Sequence, residues 1–335
     1  MTRTVRLLQI GDLHLPDWPD TETPVDVKDH SFSAKIKRDV THQPLRAVLR
    51  RFNEISTSGF IDAVICMGDY TSRGDTAYIS KAVEIIDRLS SDSFLKNPPC
   101  KMGVPGNHDV SQAEAVRYGP TGKFVKIEEA FRKFGWKEPP IDDCAIYEVG
   151  QDERARLSIH LLNSSLGSWS THLLPTPLAD ALSEAKLKEK PIKLTGSDAV
   201  DAGIEALDEA AEFVDRQEQA YYQLDTPYLS NQALTTLKEN AARLQSDLFI
   251  IASHHNILPQ ATPRISHYAE MINAGQVRRF FQTLGKTVIY LHGHIHTDPV
   301  ERISFPASEQ TRSQGAEIIS ISAPTIWEGF NEICV

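Results

Sequence analysis

The stretch Lys101-Met102-Gly103-Val104-Pro105, followed by Gly106-Asn107-His108-Asp109, decides the fold of this chain. The first five residues predict a short buried strand, and the next four place an amide, an imidazole and a carboxylate directly after it. Open α/β sheets bind their ligands at the carboxyl ends of their strands. A loop with an Asn turn, a capping Asp and a solvated His would explain the same four residues. The rest of the chain therefore has to decide between the two interpretations.

Strands and helices alternate on the N-terminal side of this stretch. Val5 to Ile10 and Ile61 to Met67 predict strands, a helix opens at Pro44 between them, and a second apolar helix face runs from Ile79 to Leu89. This alternation favours right-handed crossovers and a largely parallel sheet. Further strands are predicted at 144–149, 157–162, 247–252, 287–291, 300–303, 315–321 and 332–335, and further helices around 124–134, after Ser230 and from Tyr268 to Phe281.

Five of the predicted strands end in residues that can bind metal ions. The set contains carboxylates, one amide and several imidazoles, but no thiolate, and it suits manganese, iron, zinc or cobalt. A carboxylate can bridge two such ions, about 3.5–4 Å apart, in the two-metal arrangement for displacement at phosphorus. His160 lies inside an alternating run and is interpreted as a structural side chain. The strand-end residues are Asp12, His14, Asp69, Asn107, His108, His254, His255, His292, His294 and His296.

Composition narrows the class of protein. With 335 residues, 41% of them hydrophobic, the chain can bury one large core or two modest ones. The four scattered cysteines indicate packing thiols rather than disulfides or a zinc knuckle. The net charge of -10 disfavours a broad nucleic-acid surface, although a local patch or a metal cluster could offset it. No apolar stretch approaches membrane-spanning length and no signal-peptide pattern opens the chain, so we expect a cytoplasmic protein without a membrane partner.

Two segments interrupt the regular pattern, and the C-terminus adds a third observation. Residues 16–43 are polar and broken by prolines, which predicts a lid-like loop. Residues 165–228 contain a Lys-rich patch and an acidic amphipathic helix, which predict a helical insertion that caps the site, with a partner-binding surface as the alternative. The chain stops inside its last predicted strand, so we expect the sequence to be part of a longer protein.

The polar motifs, taken in order, resemble the motif series of the calcineurin-like metallophosphoesterases. The resemblance covers nearly the whole chain apart from the 165–228 insertion. It implies a single α/β domain over residues 1–335, in which two mixed β-sheets pack as a sandwich flanked by helices. The motifs are Asp12-Leu13-His14, Gly68-Asp69, Gly106-Asn107-His108-Asp109, His254 and Gly293-His294-Ile295-His296.

The same resemblance implies two divalent metal ions and assigns ligands to each. Asp12, His14 and His296 would hold one ion, and Asn107, His254 and His294 would hold the other, with Asp69 as the bridge. Manganese is the first expectation, with iron, zinc or cobalt as alternatives. His255 is the alternative to His254 as the ligand from this strand. His254, the first of the pair, is preferred because it occupies the position of the ligand in the family motif. His292 falls outside the motif and is expected behind the ligands or in packing.

The resemblance also implies a mechanism. A metal-bound hydroxide would attack phosphorus in line while His108 stabilises or protonates the leaving oxygen, and Asp109 would support that imidazole. A general acid of this kind contributes about 10²–10⁴-fold in rate. Asn107 is also expected beside the substrate.

The choice of phosphoester depends on finer differences within the family. Gly68 to Gly74 is similar to the protein Ser/Thr phosphatase stretch whose Arg holds phosphate, so Arg73 is a candidate phosphate contact. Ser72 stands where that subfamily has Asp, and Asp109 stands where it has Glu, which disfavours a protein phosphatase. The Asp-Leu-His opening and the helix start at Ser230 look more like the cyclic-nucleotide and small-diester branch.

We therefore predict a phosphodiesterase that acts on a nucleotide or another small diester. A nuclease of the same fold, acting on DNA or RNA, is the alternative, and the acidic insertion argues mildly against it. A binding scaffold without catalysis is the alternative of another class. Degenerate ligands would indicate such a scaffold, and none of the family's ligands is missing here.

Overall fold

The structure, a computed structural model, describes residues 4–17, 44–72, 74–91, 97–150, 157–168, 226–244, 248–259, 271–297, 299–307 and 315–335. Most of the predicted lid at 16–43 and most of the predicted insertion at 165–228, including its acidic helix, lie outside these residues. Arg73 lies outside them as well.

The described residues form ten strands and six α-helices. The strands are β1 (Arg6–Ile10), β2 (Ala63–Cys66), β3 (Cys100–Gly103), β4 (Cys144–Val149), β5 (Leu157–Leu162), β6 (Leu248–Ala252), β7 (Thr287–His292), β8 (Val300–Phe305), β9 (Ala316–Ser322) and β10 (Asn331–Cys334). The helices are α1 (Pro44–Ser56), α2 (Ile79–Leu89), α3 (Gln112–Gly122), α4 (Val125–Phe134), α5 (Asn231–Arg243) and α6 (Ala274–Thr283). Short 3-10 turns cover Thr76–Tyr78 and Asn107–Asp109.

The strands form two mixed sheets. The first has the order β10-β1-β2-β3, with β1, β2 and β3 parallel and β10 antiparallel to β1. The second has the order β4-β5-β6-β7-β9-β8, with a parallel centre from β5 to β9 and antiparallel edge strands β4 and β8. Both sheets thus place parallel strands in their centres, as the βα alternation predicts.

The described residues form four layers, namely helices, the first sheet, the second sheet and helices, and a cluster of buried apolar side chains lies between each pair of neighbouring layers. Leu7, Ile65 and Met102 of the first sheet pack on Ile159 and Ile250 of the second, so the two sheets form a sandwich. Helices α1 to α4 cover the outer face of the first sheet, and α5 and α6 cover that of the second. The predicted α/β/β/α sandwich of two mixed sheets is confirmed.

Local sequence signals explain several boundaries, and one helix differs from the prediction. Ser230 caps α5, because its hydroxyl oxygen accepts the backbone N–H of Ala233 at 3.0 Å. Among the described residues helix α6 begins at Ala274, and the side chain of Asn273 before it bonds the N–H and C=O of Leu229 rather than capping the helix. The predicted start at Tyr268 lies outside the described residues. Helix α3 was not predicted, and Gly119, at φ 77°, kinks it.

All four cysteines are free thiols, as their spacing predicts. Among the helices described, none is both long enough and apolar enough to cross a bilayer.

Candidate metal centre

The seven predicted metal ligands follow strands whose carboxyl ends meet at one edge of the sandwich. Asp12 and His14 follow β1, Asp69 follows β2, and Asn107 follows β3. His254 follows β6, while His294 and His296 follow β7. Six of the seven residues are buried, and the side chain of His296 is 44% exposed. The structure thus brings together side chains that lie up to 284 positions apart in the chain.

The first group of donors consists of Asp12, His14, Asp69 and His296. Each offers one ligand atom, and these four atoms lie within 4.8 Å of one another. Nε2 of His296 lies 3.1 Å from Nε2 of His14 and 3.8 Å from Oδ2 of Asp12. This group matches the ligands that the resemblance assigns to one ion.

The second group surrounds His254. Its Nδ1 lies 2.6 Å from the carbonyl oxygen of Met67, and its Nε2 lies 2.9 Å from Oδ1 of Asn107 and 3.3 Å from Oδ2 of Asp69. A histidine that donates one ring N–H to a carbonyl and directs the other nitrogen at oxygen ligands has the usual environment of a metal ligand. The ligand atoms of His254, His255 and His294 also lie within 4.8 Å of one another.

Asp69 connects the two groups. Its Oδ2 lies 3.9 Å from Nε2 of His14 and 3.3 Å from Nε2 of His254. Apart from these two imidazoles, this buried oxygen has no hydrogen-bond partner, whereas Oδ1 accepts the backbone N–H of His108 at 2.9 Å. A buried carboxylate oxygen without a hydrogen bond is costly. The arrangement therefore fits divalent cations on both sides of Asp69.

The backbone at the site is held in an unusual conformation. His14, Asp69, His294 and His296 have φ values of 49°, 50°, 69° and 58°, and they are the non-glycine residues with positive φ in the described part of the chain. Such conformations cost about 1–3 kcal/mol each and cluster at functional sites. All four are predicted metal ligands, so the strained backbone conformations coincide with residues whose side chains must point at the site.

Close approach of the loops explains a glycine of the motifs. A Cβ atom on Gly106 would lie 2.1 Å from Oδ1 of Asp69. Any other residue at this position would displace the carboxylate that joins the two groups.

The buried charges are strongly coupled. Burial alone would lower the pKa of His254, but the carboxylates of Asp69 and Asp12 raise it to about 10. Burial would likewise raise the pKa of Asp69, but the imidazoles of His254 and His108 hold it well below its usual value. Burial raises the pKa of Asp12 to about 6. The protonation of each buried carboxylate and imidazole in the cluster therefore depends on that of its neighbours.

His108 lies next to the first group, and the backbone holds it in place. Its ring centre is 5.1 Å from that of His14, and the residue is 8% exposed. Its carbonyl oxygen accepts the hydroxyl of Thr71 at 2.8 Å and the N–H of Gly74 at 2.9 Å. The imidazole is therefore carried on a rigid turn at the edge of the site.

The carboxylate of Asp109 bonds to backbone rather than serving only the imidazole of His108. Its Oδ2 accepts the N–H of Gly106 at 2.8 Å, and its Oδ1 accepts the N–H of Thr71 at 3.0 Å. These two bonds tie the loop after β2 to the loop after β3, and the support of His108 by Asp109 stays a prediction.

The family profile of the calcineurin-like phosphoesterases matches residues 5–298. The chain belongs to the calcineurin-like phosphoesterase family. Membership, together with the two donor groups, makes it a metal-dependent phosphoesterase. No curated protein matches the sequence.

Several solved structures are similar to this phosphoesterase. A dimetal phosphatase from Danio rerio has a TM-score of 0.45 and 14% identity, over 97% of this chain and 88% of that one. A Staphylococcus aureus protein described as a candidate 5′-nucleotidase, in complex with alpha-ketoglutarate, has a TM-score of 0.47 and 12% identity, over 99% and 50%. PhoD has a TM-score of 0.44 and 10% identity, over 98% and 57%.

Sequence reasoning missed several contacts around the phosphoesterase site, although it had singled out Ser72 for its place in the second motif. Ser72 donates its hydroxyl to the carbonyl of His14 at 2.9 Å, and the hydroxyl of Ser164 lies 2.8 Å from Nδ1 of His255. Ser164 follows β5, so its strand-end position was a usable signal. The ring of Trp327 lies 6.1 Å from that of His14, and no local pattern marks it. The packing prediction for His292 agrees with its full burial beside the ring of Tyr290, at 5.8 Å.

Proposed function

We propose that this chain is a dinuclear metal-dependent phosphodiesterase that hydrolyses a nucleotide or another small phosphodiester. The observation that carries the proposal is the position of Asp69, whose buried Oδ2 faces a donor from each of the two groups. A bridging carboxylate between two donor groups is what a two-metal site for displacement at phosphorus requires.

Seven side chains would hold the two ions. Asp12, His14 and His296 would bind one, Asn107, His254 and His294 the other, and Asp69 both. When bound, the ions supply Lewis-acid charge that binds phosphate oxygens and lowers the pKa of water. Manganese is our first choice, with iron, zinc or cobalt as alternatives, because the set mixes oxygen and imidazole donors. Asn107 would also lie beside the bound phosphate.

His108 would serve the leaving group. Its imidazole can donate a proton to the departing oxygen, because a histidine titrates near neutral pH. The bonds from Thr71, Gly74 and Asp69 to its backbone fix the turn that carries it. Asp109 would contribute by holding that turn against the loop after β2 rather than by transferring a proton itself.

A diester is favoured over a phosphoprotein by what Ser72 does. Its hydroxyl donates to the carbonyl of His14, and its N–H donates to the carbonyl of Leu15, so the residue organises the loop after β1. It does not supply the carboxylate that protein phosphatases carry at this position. Arg73 remains our proposed phosphate contact, and the 165–228 insertion our proposed cap.

A substrate panel tests the proposal. Purified chain supplied with manganese should hydrolyse bis(p-nitrophenyl) phosphate faster than p-nitrophenyl phosphate, and should cleave a cyclic nucleotide. Labelled single- and double-stranded DNA and RNA separate this function from a nuclease. Metal-loaded protein that is inert towards every diester and monoester would contradict the proposal and favour a binding scaffold.

A further inference from the structure

His255 belongs to a tight cluster of three imidazoles. Its ring centre lies 4.7 Å from that of His254 and 4.4 Å from that of His294. The ring centres of His254 and His294, which we assign to one ion, lie 5.2 Å apart. Since a metal–nitrogen bond is about 2.1 Å, imidazoles on one zinc ion have ring centres about 4.5–5.3 Å apart, from right-angled to tetrahedral geometry. His255 is thus as close to both rings as a third ligand of the same ion would be.

The other side of the His255 ring is held as the rings of metal ligands are held. Nδ1 lies 2.8 Å from the hydroxyl oxygen of Ser164, which also accepts the backbone N–H of His255 at 3.0 Å. The carbonyl of His255 accepts the hydroxyl of Tyr290 at 2.7 Å. Because Nδ1 is engaged by Ser164, Nε2 is the nitrogen that His255 offers to the cluster. Ligating histidines almost always bond an oxygen through their second nitrogen.

The rings of this cluster and the serine that holds His255 are removed from solvent. His254 and His255 are fully buried, Ser164 is fully buried, and His294 is 7% exposed. Burying polar rings is costly unless their nitrogens have partners, and an ion shared by three buried imidazoles would be such a partner.

We propose that His255 is a third imidazole donor at the ion position of His254 and His294, and that this nitrogen-rich position selects zinc or iron(II) over manganese. The inference rests on the dinuclear centre proposed above, adds a ligand to it, and at this one position replaces manganese as the first choice by zinc or iron(II). Imidazole ligands suit zinc and iron, whereas carboxylate and carbonyl ligands suit manganese. Both positions have two oxygen donors, but the other one combines them with two imidazoles rather than three and would accept manganese. The two positions would therefore differ in metal preference.

Metal binding by the full chain tests the inference without relying on activity. Wild type, His255→Phe and Ser164→Ala are each titrated with zinc in competition with a chromophoric chelator. We expect the zinc affinity of the tighter position to fall at least about tenfold in His255→Phe, and by less in Ser164→Ala, which keeps the ring but loses its hydroxyl partner. X-ray absorption with one equivalent of zinc should show one imidazole fewer per zinc in His255→Phe.

His160→Phe is the matched control, because His160 is also fully buried but packs beside Phe249 and Cys144. It should leave zinc affinity and imidazole count unchanged. Wild-type zinc affinity and imidazole count in both His255→Phe and Ser164→Ala would overturn the inference and leave the dinuclear centre standing. If His255→Phe does not fold, Ser164→Ala decides by the same affinity measurement. A wild-type chain that binds no ion at all would overturn both the inference and the proposed function.

Discussion

Two fully buried histidines, His254 and His160, lie in regions of opposite character. His160 on β5 packs beside the ring of Phe249, at 5.4 Å between ring centres, and burial lowers its pKa to about 4. His254 at the end of β6 lies 3.3 Å from Oδ2 of Asp69, and there the carboxylates overcome burial and raise the pKa to about 10. Burial of a histidine therefore does not mark a site, whereas burial beside shared carboxylates does.

The largest expected effect on activity comes from removing the carboxylate of Asp69, which lies beside His254 and has no counterpart beside His160. In Asp69→Asn, hydrolysis of bis(p-nitrophenyl) phosphate should fall to the background rate, because both donor groups lose their common carboxylate. Asp62→Asn is the matched control. Asp62 is also buried beside β2, but its Oδ2 accepts the N–H of Arg6 at 2.9 Å, before the strand rather than after it. Equal loss of activity in both variants would contradict the assignment.

The next effect separates the metal ligands from the proton donor. In His108→Gln, kcat should fall about 10²–10⁴-fold, because a general acid contributes that much. The metal content should stay at the wild-type value, since His108 is not among the proposed ligands. Steady-state kinetics and elemental analysis of the same preparation check this. A variant that loses metal, or keeps its full kcat, would refute the role given to His108.

The apolar surroundings of His160 predict that the stability of the fold depends on pH. The pKa of His160 is about 4 in the folded chain and about 6.5 when unfolded, so the folded state binds fewer protons between these values. Stability should therefore fall as the pH drops from 7 to 4.5, and this group should account for about 2 kcal/mol of the loss.

Urea unfolding of wild type and His160→Phe at both pH values measures that contribution. The loss of stability between pH 7 and 4.5 should be smaller in the variant by about the same 2 kcal/mol. An equal loss in both proteins would show that the surroundings of His160 do not shift its pKa.

The smallest expected effect concerns the neck of the predicted insertion. Tyr228 donates its N–H to the carbonyl of Ser164 at 3.0 Å, and Thr226 donates its hydroxyl to the carbonyl of Gly167 at 2.6 Å. The two ends are thus adjacent, and a short Gly/Ser linker in place of residues 169–225 should change the free energy of unfolding by less than about 1 kcal/mol. Urea unfolding measures this change. A large loss of stability would contradict the interpretation of the segment as an insertion whose two ends lie side by side.

Activity of the same deletion distinguishes the two interpretations of the segment. A changed KM for a nucleotide diester favours a cap over the site. An unchanged KM favours a surface for a partner.

Much of the fold was predictable because it depends on local patterns. Cys144–Val149 and Leu157–Leu162 have the predicted bounds, since alternating or continuous apolar runs between polar turns define strands directly. The convergence of the strand-end donors was predictable once the strands were placed, because the carboxyl ends of parallel strands lie at the same edge of a sheet.

What the sequence did not reveal depends on contacts between distant residues. Ser164 and His255 are 91 positions apart, and nothing local to either indicates their hydrogen bond. The two backbone partners of Asp109 likewise depend on the relative position of the loops after β2 and β3. Helix α3 was also not predictable, because it is kinked at Gly119 and lacks the clear apolar face that marks α4.

Metal stoichiometry tests the central claim most directly. The chain of residues 1–335, loaded with divalent ions and dialysed, should retain two ions per chain by elemental analysis, and Asp69→Asn should retain at most one. Wild type that retains no ion, or Asp69→Asn that retains two as firmly as wild type, would contradict a centre built around this carboxylate.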